Sequence, residues 1–461
     1  MKKQALLALM LALTLILTGC TLVQKDPEVD AATEIVRMGD RVVTKGEFQD
    51  QVNYQLNYMS YLYSMYGYSF DPTSADAVAD AQNTVLESFK TDLVSRAKIA
   101  EMGLDQLTEE EQKSVQEKAE ESYQSDLDYI ISSDYADSEL SDEEKAEKAK
   151  ADMEKLGRTM DKALENAKDT VLQEKLRAEI VKDVKVTEEE IQADYDSKVT
   201  SAKESYISNA GGWATAANQG SSTLYYTPAG VRYVKQILVK FTEEDQPKVD
   251  EANQKVTDAQ KKVTDAESKQ STAQATLDSE TATEDEKNTA QADLEAAQNE
   301  LKDAQAELET AQAEADAVLE KAFANIDEAA DGILKELEEG ADWDTLMAER
   351  TQDPGMQSGV TAERGYAVSA DMTSFDSAFV EAAMSLEKVG DISGKIRGNT
   401  YGYYIIRYVG DAQEGPIALD EVKDTIEADL LSTKQDTTFT DTLKSWVDAA
   451  EFKVDLNPLK N

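Results

Sequence analysis

The sequence predicts an α+β protein: mostly helical N- and C-terminal regions enclosing a small-sheet domain that carries an inserted antiparallel coiled-coil hairpin. Three observations carry this expectation. No proline occurs between Pro72 and Pro228, and helix-favouring sequence from residue 76 to 183 is punctuated by Ser/Thr residues followed three positions later by Glu. Two aromatic and β-branched runs, "VRYVKQILVKF" at 231–241 and "NTYGYYIIRYVG" at 399–410, read as strands. Between them, residues 246–324 repeat apolar side chains in alternating steps of three and four, the coiled-coil period.

Taken in order, the first twenty residues, "MKKQALLALMLALTLILTGC", have two lysines, an apolar stretch and small residues before the only cysteine, the pattern of a secretory signal. Leu17-Thr18-Gly19-Cys20 resembles the bacterial lipobox, which implies acylation of Cys20 and an extracytoplasmic protein lipid-anchored to the outer face of the cell membrane. The alternative is an ordinary signal peptide with an incidental thiol. Later segments lack the roughly 18 unbroken apolar residues of a transmembrane helix. With 47 basic and 93 acidic residues the formal net charge is -46, which repels phosphate backbones and anionic headgroups alike, so no nucleic-acid partner is expected. Spending the one cysteine on lipid leaves no disulfide, and stability must come from packing.

Residues 21–33 read as a tether. A helical region, 34–206, opens with two short strands about Gly39-Asp40 and a helix capped by Thr44 with Glu47. Tyr54, Tyr58 and Tyr61 keep helical spacing on it, as a platform for extended apolar peptide or as the inner face of an amphipathic core helix. Further cap pairs are Thr108 with Glu111 and Ser141 with Glu144. Acidic clusters such as Glu109-Glu110-Glu111 suit first turns, where carboxylates complement the helix dipole, better than a metal site. Residues 207–230, rich in Gly, Ser and Asn, read as a linker. The small-sheet domain spans 231–411, interrupted by the hairpin at 246–324. Its seams run Val249, Ala252, Val256, Ala259, Val263, Ala266 and then Leu294, Ala297, Leu301, Ala304, Leu308, Ala311, Ala315, Val318, with a break near Ser279–Thr283 and a cap pair Thr283/Glu286. Each arm should be about 45 Å long. Two unpaired helices would not account for matched seams. Residues 412–461 form a C-terminal helix and strand that complete the helical region.

The segments "VRYVKQILVKF", "ILKELEEGADWDTLMAERTQDPG", "FVEAAMSLEKVGDISGKI" and "GYYIIRYVG" resemble, in that order, a parvulin-type peptidyl-prolyl isomerase domain. The surrounding plan, with "VTEEEIQADYDSKV" at 186–199 as lead-in, resembles Gram-positive foldase lipoproteins of the PrsA type and the periplasmic chaperone SurA. By that resemblance the hairpin interrupts the domain between its first strand and first helix. Parvulins place histidines where this sequence has Gln236 and Tyr404, and this chain contains no histidine at all. Asp353 matches the acidic or thiol position of the loop, with Thr351 where a serine is usual. Phe375 and Phe379 match the apolar proline pocket, and "TAERGY" replaces a glycine-rich loop, so that a pocket leucine falls near Arg364.

The resemblance implies a foldase or chaperone whose partners are unfolded or newly secreted polypeptides; no cofactor is expected, and with histidine absent and the one cysteine acylated no metal-binding set stands out. Prolyl isomerisation breaks no covalent bond; its barrier of about 20 kcal/mol comes from amide resonance, so proton transfer is dispensable in principle. A hydrogen-bonded network of Gln236, Tyr404 and Asp353 would then scaffold a proline-like pocket with weak or absent turnover. Each residue also has a plainer reading. Gln236 and Tyr404 support the fold, Phe375 and Phe379 face the core, and Asp353 before Pro354-Gly355 favours a turn. Two rival functions stand beside the chaperone: an active parvulin isomerase, and a surface lipoprotein acting as docking or spacer module. The sequence leaves the oligomeric state open, a dimer included.

Overall fold

The computed structural model describes residues 26–136 and 138–460, so the signal segment and Cys20 lie outside the described residues. Within them the strands, in chain order, are β1 (Glu34–Met38), β2 (Arg41–Thr44), β3 (Tyr226–Thr227), β4 (Arg232–Lys240), β5 (Tyr366–Val368), β6 (Ile396–Arg397), β7 (Gly402–Asp411), β8 (Gly415–Pro416) and β9 (Lys453–Val454). The chain divides into two compact units, one formed by residues up to Lys185 and from Asp429 onward, the other by Val186–Ala428. No helix among the described residues is long and apolar enough to cross a membrane.

The first unit is a helical body on a three-stranded antiparallel sheet of order β2-β1-β9. Gly39, with φ of 60°, takes the first central position of the two-residue turn between β1 and β2, where positive φ is required. Thr44 then closes a capping box with Glu47 and starts the helix Lys45–Met65. Phe48, Val52 and Leu56 from that helix pack with Ile35, Val36, Ala81, Val85 and Leu93. Tyr54, Tyr58 and Tyr61 are exposed on its other face, so the core reading of these tyrosines does not hold. The C-terminal strand returns to pair Val454 with Val36 and Lys453 with Arg37. Thr108/Glu111 and Ser141/Glu144 also form capping boxes, opening the helices Glu109–Asp134 and Asp142–Lys155. Arg96 ties the helix Ala75–Glu101 to Met160–Val181 through a two-pronged pair with Asp169, at 3.0 and 2.7 Å. Residues 26–33, read as tether, carry a short helix at Pro27–Ala31, whose Asp30 meets the buried Lys45 amine at 2.6 Å.

The second unit is built on a four-stranded antiparallel sheet of order β5-β4-β7-β6. Residues 207–230 are not simply a linker, since Ala210–Gln219 is a helix burying Trp213, Ala214 and Ala217 against the sheet. Its small residues serve close packing: a Cβ on Gly211 would lie 2.7 Å from the Asp371 carbonyl oxygen. Asn209 caps its start and Gly220, with φ of 63°, ends it. The units part near 186 and 429, not 207 and 412. Helix Glu188–Tyr206 joins the second unit through Tyr195, whose hydroxyl donates to the Ile417 carbonyl at 2.7 Å, and through the Lys423–Glu188 ion pair at 2.8 Å.

The hairpin helices are Gln246–Asp278 and Glu284–Glu338, joined through the Thr283/Glu286 capping box. At 1.5 Å per residue the first is about 50 Å long. Ala252, Ala259, Val263 and Ala266 face Ala297, Ala304, Ala311 and Ala315 in a buried seam, and the pairs Lys262–Glu307 and Lys269–Glu300 set an antiparallel register. The second arm does not stop at 324. It continues unbroken into the sheet domain, where Phe323, Ile326, Ala330 and Ile333 lie on the sheet with Trp343, Leu346 and Met347 of the helix Trp343–Arg350. The physical reason is that the apolar repeat persists past 324 and nothing caps the helix before Glu339.

Phe323 joins this core to the sheet, its ring 4.9 Å from that of Phe241 and 4.7 Å from that of Tyr403. Phe323→Ala is expected to destabilise the second unit by about 3–5 kcal/mol, the cost of a large aromatic cavity, in urea unfolding followed by tryptophan fluorescence.

Candidate functional site

A cleft of about 650 Å³ opens on one face of the β4–β7 pair, lined by Gln236, Leu238, Lys240, Asp353, Pro354, Tyr366, Ser374, Phe375, Asp376, Phe379, Thr400, Tyr401 and Tyr404. The sheet register sets Gln236 opposite Ile406 and Leu238 opposite Tyr404. Period-two alternation therefore places Gln236, Leu238 and Tyr404 on one face, while Ile237, Val239, Tyr403 and Ile405 face the hairpin helix. Gly402 makes this pairing feasible: its φ is 139°, and a Cβ there would lie 2.0 Å from the Val239 carbonyl oxygen.

Gln236 and Asp353, each 7% exposed, are joined by the Gln236 Nε2–H donating to Asp353 Oδ2 at 2.6 Å. The other carboxylate oxygen accepts from the Gly355 N–H at 3.0 Å and from the Tyr366 hydroxyl at 3.2 Å. Thr351 Oγ1 fixes the loop to β4 by accepting the N–H groups of Asp353 and Leu238, each at 3.2 Å. Glycine at 355 lets the Tyr366 hydroxyl come this close, because a Cβ there would stand 1.9 Å from its oxygen and push the ring aside. Asp353 thus holds three donors and is a hub of hydrogen bonds. Gln236 Oε1 is buried with no protein partner.

Four rings make an edge-to-face ladder across the cleft, with centroid separations of 5.2 Å (Tyr366–Phe375), 5.6 Å (Phe375–Phe379) and 5.3 Å (Phe379–Tyr404). Phe379 is both core and cleft lining, whereas Phe375 is half-buried and precedes the helix Ser377–Ser385, which Asp376 caps. Tyr404 is not part of the Asp353 network as the sequence predicted. Its hydroxyl instead faces Asp376, and the third member is Tyr366. Arg364 is also displaced from its expected place: its guanidinium stacks 4.9 Å over Tyr233 and donates to the Ala217 carbonyl at 3.1 Å, outside the cleft. Tyr366, Asp376 and Tyr401 are the residues sequence reasoning missed. Only "GY" closing the decayed loop hinted at Tyr366.

No family model matches the chain. Over 130 residues, 28% of its length, it is 30% identical to the foldase protein PrsA of two Clostridium botulinum strains. Over that stretch the chain is PrsA-like. The match spans 37% of each relative's length. Among solved structures, a Campylobacter jejuni chain described as a SurA-like chaperone shares 15% identity, covers 72% of this chain and 95% of its own, and gives a TM-score of 0.25. A Bacillus cereus peptidylprolyl isomerase (PrsA) shares 15% over 93% of this chain and 96% of its own, with a TM-score of 0.19. The Streptococcus pneumoniae foldase protein PrsA shares 13% over 93% and 98%, with a TM-score of 0.21.

Burial first, and then the Asp376 carboxylate, push the Tyr404 phenol well above its ordinary value; burial and Asp353 do the same to Tyr366. A group whose folded pKa exceeds its unfolded value contributes stability that is fully present below the unfolded value and lost as pH rises. Stability should therefore fall above pH of about 10, where the unfolded tyrosines ionise. Tyr404→Phe is expected to flatten that decline in urea titrations at rising pH; an unchanged slope would contradict the assignment.

Proposed function

We propose that this chain is an extracytoplasmic foldase acting as a chaperone, capturing extended, partly apolar segments of newly secreted polypeptides and delaying their aggregation. The observation that carries this reading is an uncharged aromatic surface on the first unit. From Gln51 to Phe70 no charged residue occurs in a chain that is 30% charged. Within that stretch Tyr54, Tyr58, Tyr61, Met65, Tyr66 and Tyr68 are all exposed, and Tyr54 and Tyr58 stack at 6.5 Å. Exposed rings with polar edges suit apolar peptide that must be released again. The PrsA-like stretch supports the same reading.

In this proposal the second unit is a parvulin-like domain interrupted by a coiled-coil hairpin, and its cleft binds more than it catalyses. Phe375 and Phe379 would seat an apolar ring. Gln236 and Tyr404 stand where the family has histidines, and Asp353, already accepting three donors, serves as scaffold for Gln236. Acylated Cys20 would tether the protein to the membrane, and the acidic surface would favour basic clients, whose affinity should then weaken with added salt.

The test takes the chain from Thr21 onward and measures isomerisation of a proline-containing peptide, in a protease-free assay, beside suppression of aggregation of a denatured client. Suppression with little turnover is expected, and Tyr54→Ser/Tyr58→Ser/Tyr61→Ser should reduce it severalfold. Parvulin-like turnover abolished by Asp353→Ala would overturn the binding-only reading of the cleft. Absence of both activities would favour a docking protein.

A further inference from the structure

The hairpin meets the sheet domain along one edge, where its first arm grips the backbone of the cleft's rim and its second arm pairs with side chains of β6 and the residue before it. From the first arm, Gln246 Nε2 donates to the Thr400 carbonyl and Asn253 Nδ2 to the Asn399 carbonyl, each at 2.8 Å. From the second, Glu320 pairs with Arg397 at 2.7 Å, and Asp327 and Asp331 each pair with Lys395 at 2.6 Å. The segment so held is β6 with the turn that leads from it into β7. Its Thr400 and Tyr401 line the cleft, and its Gly398 lies on the Tyr404 ring so closely that a Cβ would stand 2.2 Å from it. The same residue is engaged through its other backbone group: the Asn399 N–H donates to Asp376 Oδ2 at 2.7 Å, and Asp376 faces the Tyr404 hydroxyl.

A continuous path thus runs from Asn253 through residue 399 and Asp376 to Tyr404. We infer that the helical hairpin is a positioning element of the cleft: Gln246 and Asn253, which do not line it, hold the 398–402 rim where a bound peptide needs it. This rests on the reading of the cleft as the seat of an apolar ring in an extended peptide. A spacer inserted at a tolerant loop would not need one arm to hold the binding rim and the other to hold the strand that leads into it, so the insertion has a role in recognition.

The experiment uses the chain from Thr21 onward, with a dansyl-labelled peptide carrying a central proline between apolar residues as probe. Gln246→Glu and Asn253→Asp keep shape but turn a donor into an acceptor facing a carbonyl. Each is expected to weaken binding about fivefold, the equivalent of one hydrogen bond. Amide exchange at 398–402 should quicken while that of 403–408 stays unchanged. Gln254→Glu adds the same charge on an exposed neighbouring face and should alter neither readout. Phe375→Ala separates the two claims. If it leaves binding intact, the cleft reading fails, and exchange at 398–402 alone then decides whether the hairpin holds the rim. If Phe375→Ala weakens binding while Gln246→Glu and Asn253→Asp do not, the hairpin inference is overturned.

Discussion

The pairing of β4 with β7 is the constraint on which the second unit depends. It joins residues 232–240 to 402–411 across a long stretch of chain, and its side-chain period of two sorts their residues onto two faces. Val234, Leu238, Tyr404, Ile406 and Tyr408 go to the core beneath helices Ala210–Gln219 and Ser377–Ser385. Ile237, Val239, Tyr403 and Ile405 go to the core beneath the long hairpin arm. A slip of one residue would exchange these sets and set Gln236 against the helix instead of Asp353. Because both faces are buried, such a slip is costly, and the register that builds the core is also the register that builds the cleft.

Within the cleft, chemistry follows from what surrounds each polar group. A carboxylate that accepts from Gln236, Gly355 and Tyr366 has its lone pairs occupied and its geometry set from three directions. It orients the glutamine amide, leaving the buried Oε1 as the polar atom without a protein partner. The rings of Phe375, Phe379 and Tyr404 supply apolar area alongside. In the proposed reading such a site recognises a neutral, partly apolar group, in a chain devoid of histidine.

The hairpin's contribution is continuity. One helix begins at the far loop beside Thr283 and ends as the domain's own packing helix at Glu338. Its seam is largely alanine, which lets the two helices approach closely, and its last turns switch to Phe323, Ile326 and Ile333, which fill the wider gap to the sheet. The change in side-chain size along a single unbroken helix marks where helix–helix packing gives way to helix–sheet packing.

Local signals were legible in the sequence because their physics is local. The capping boxes at Thr44, Thr108, Ser141 and Thr283, the turn at Gly39, the strands flanking Gln236 and Tyr404, and the two alanine seams all rest on residues a few positions apart. Composition misled where small residues meant close packing, as in the helix Ala210–Gln219, whose glycines read as a linker. The tertiary structure alone decided that Tyr366, from another strand, completes the Asp353 network, that Tyr404 turns to Asp376, and that Gln246 and Asn253 reach the cleft's rim. Those contacts join residues separated by 13 to 154 positions, and their partners are selected by sheet register and helix placement. Periodicity along the chain specifies which face a side chain takes; only the folded chain specifies what stands opposite it.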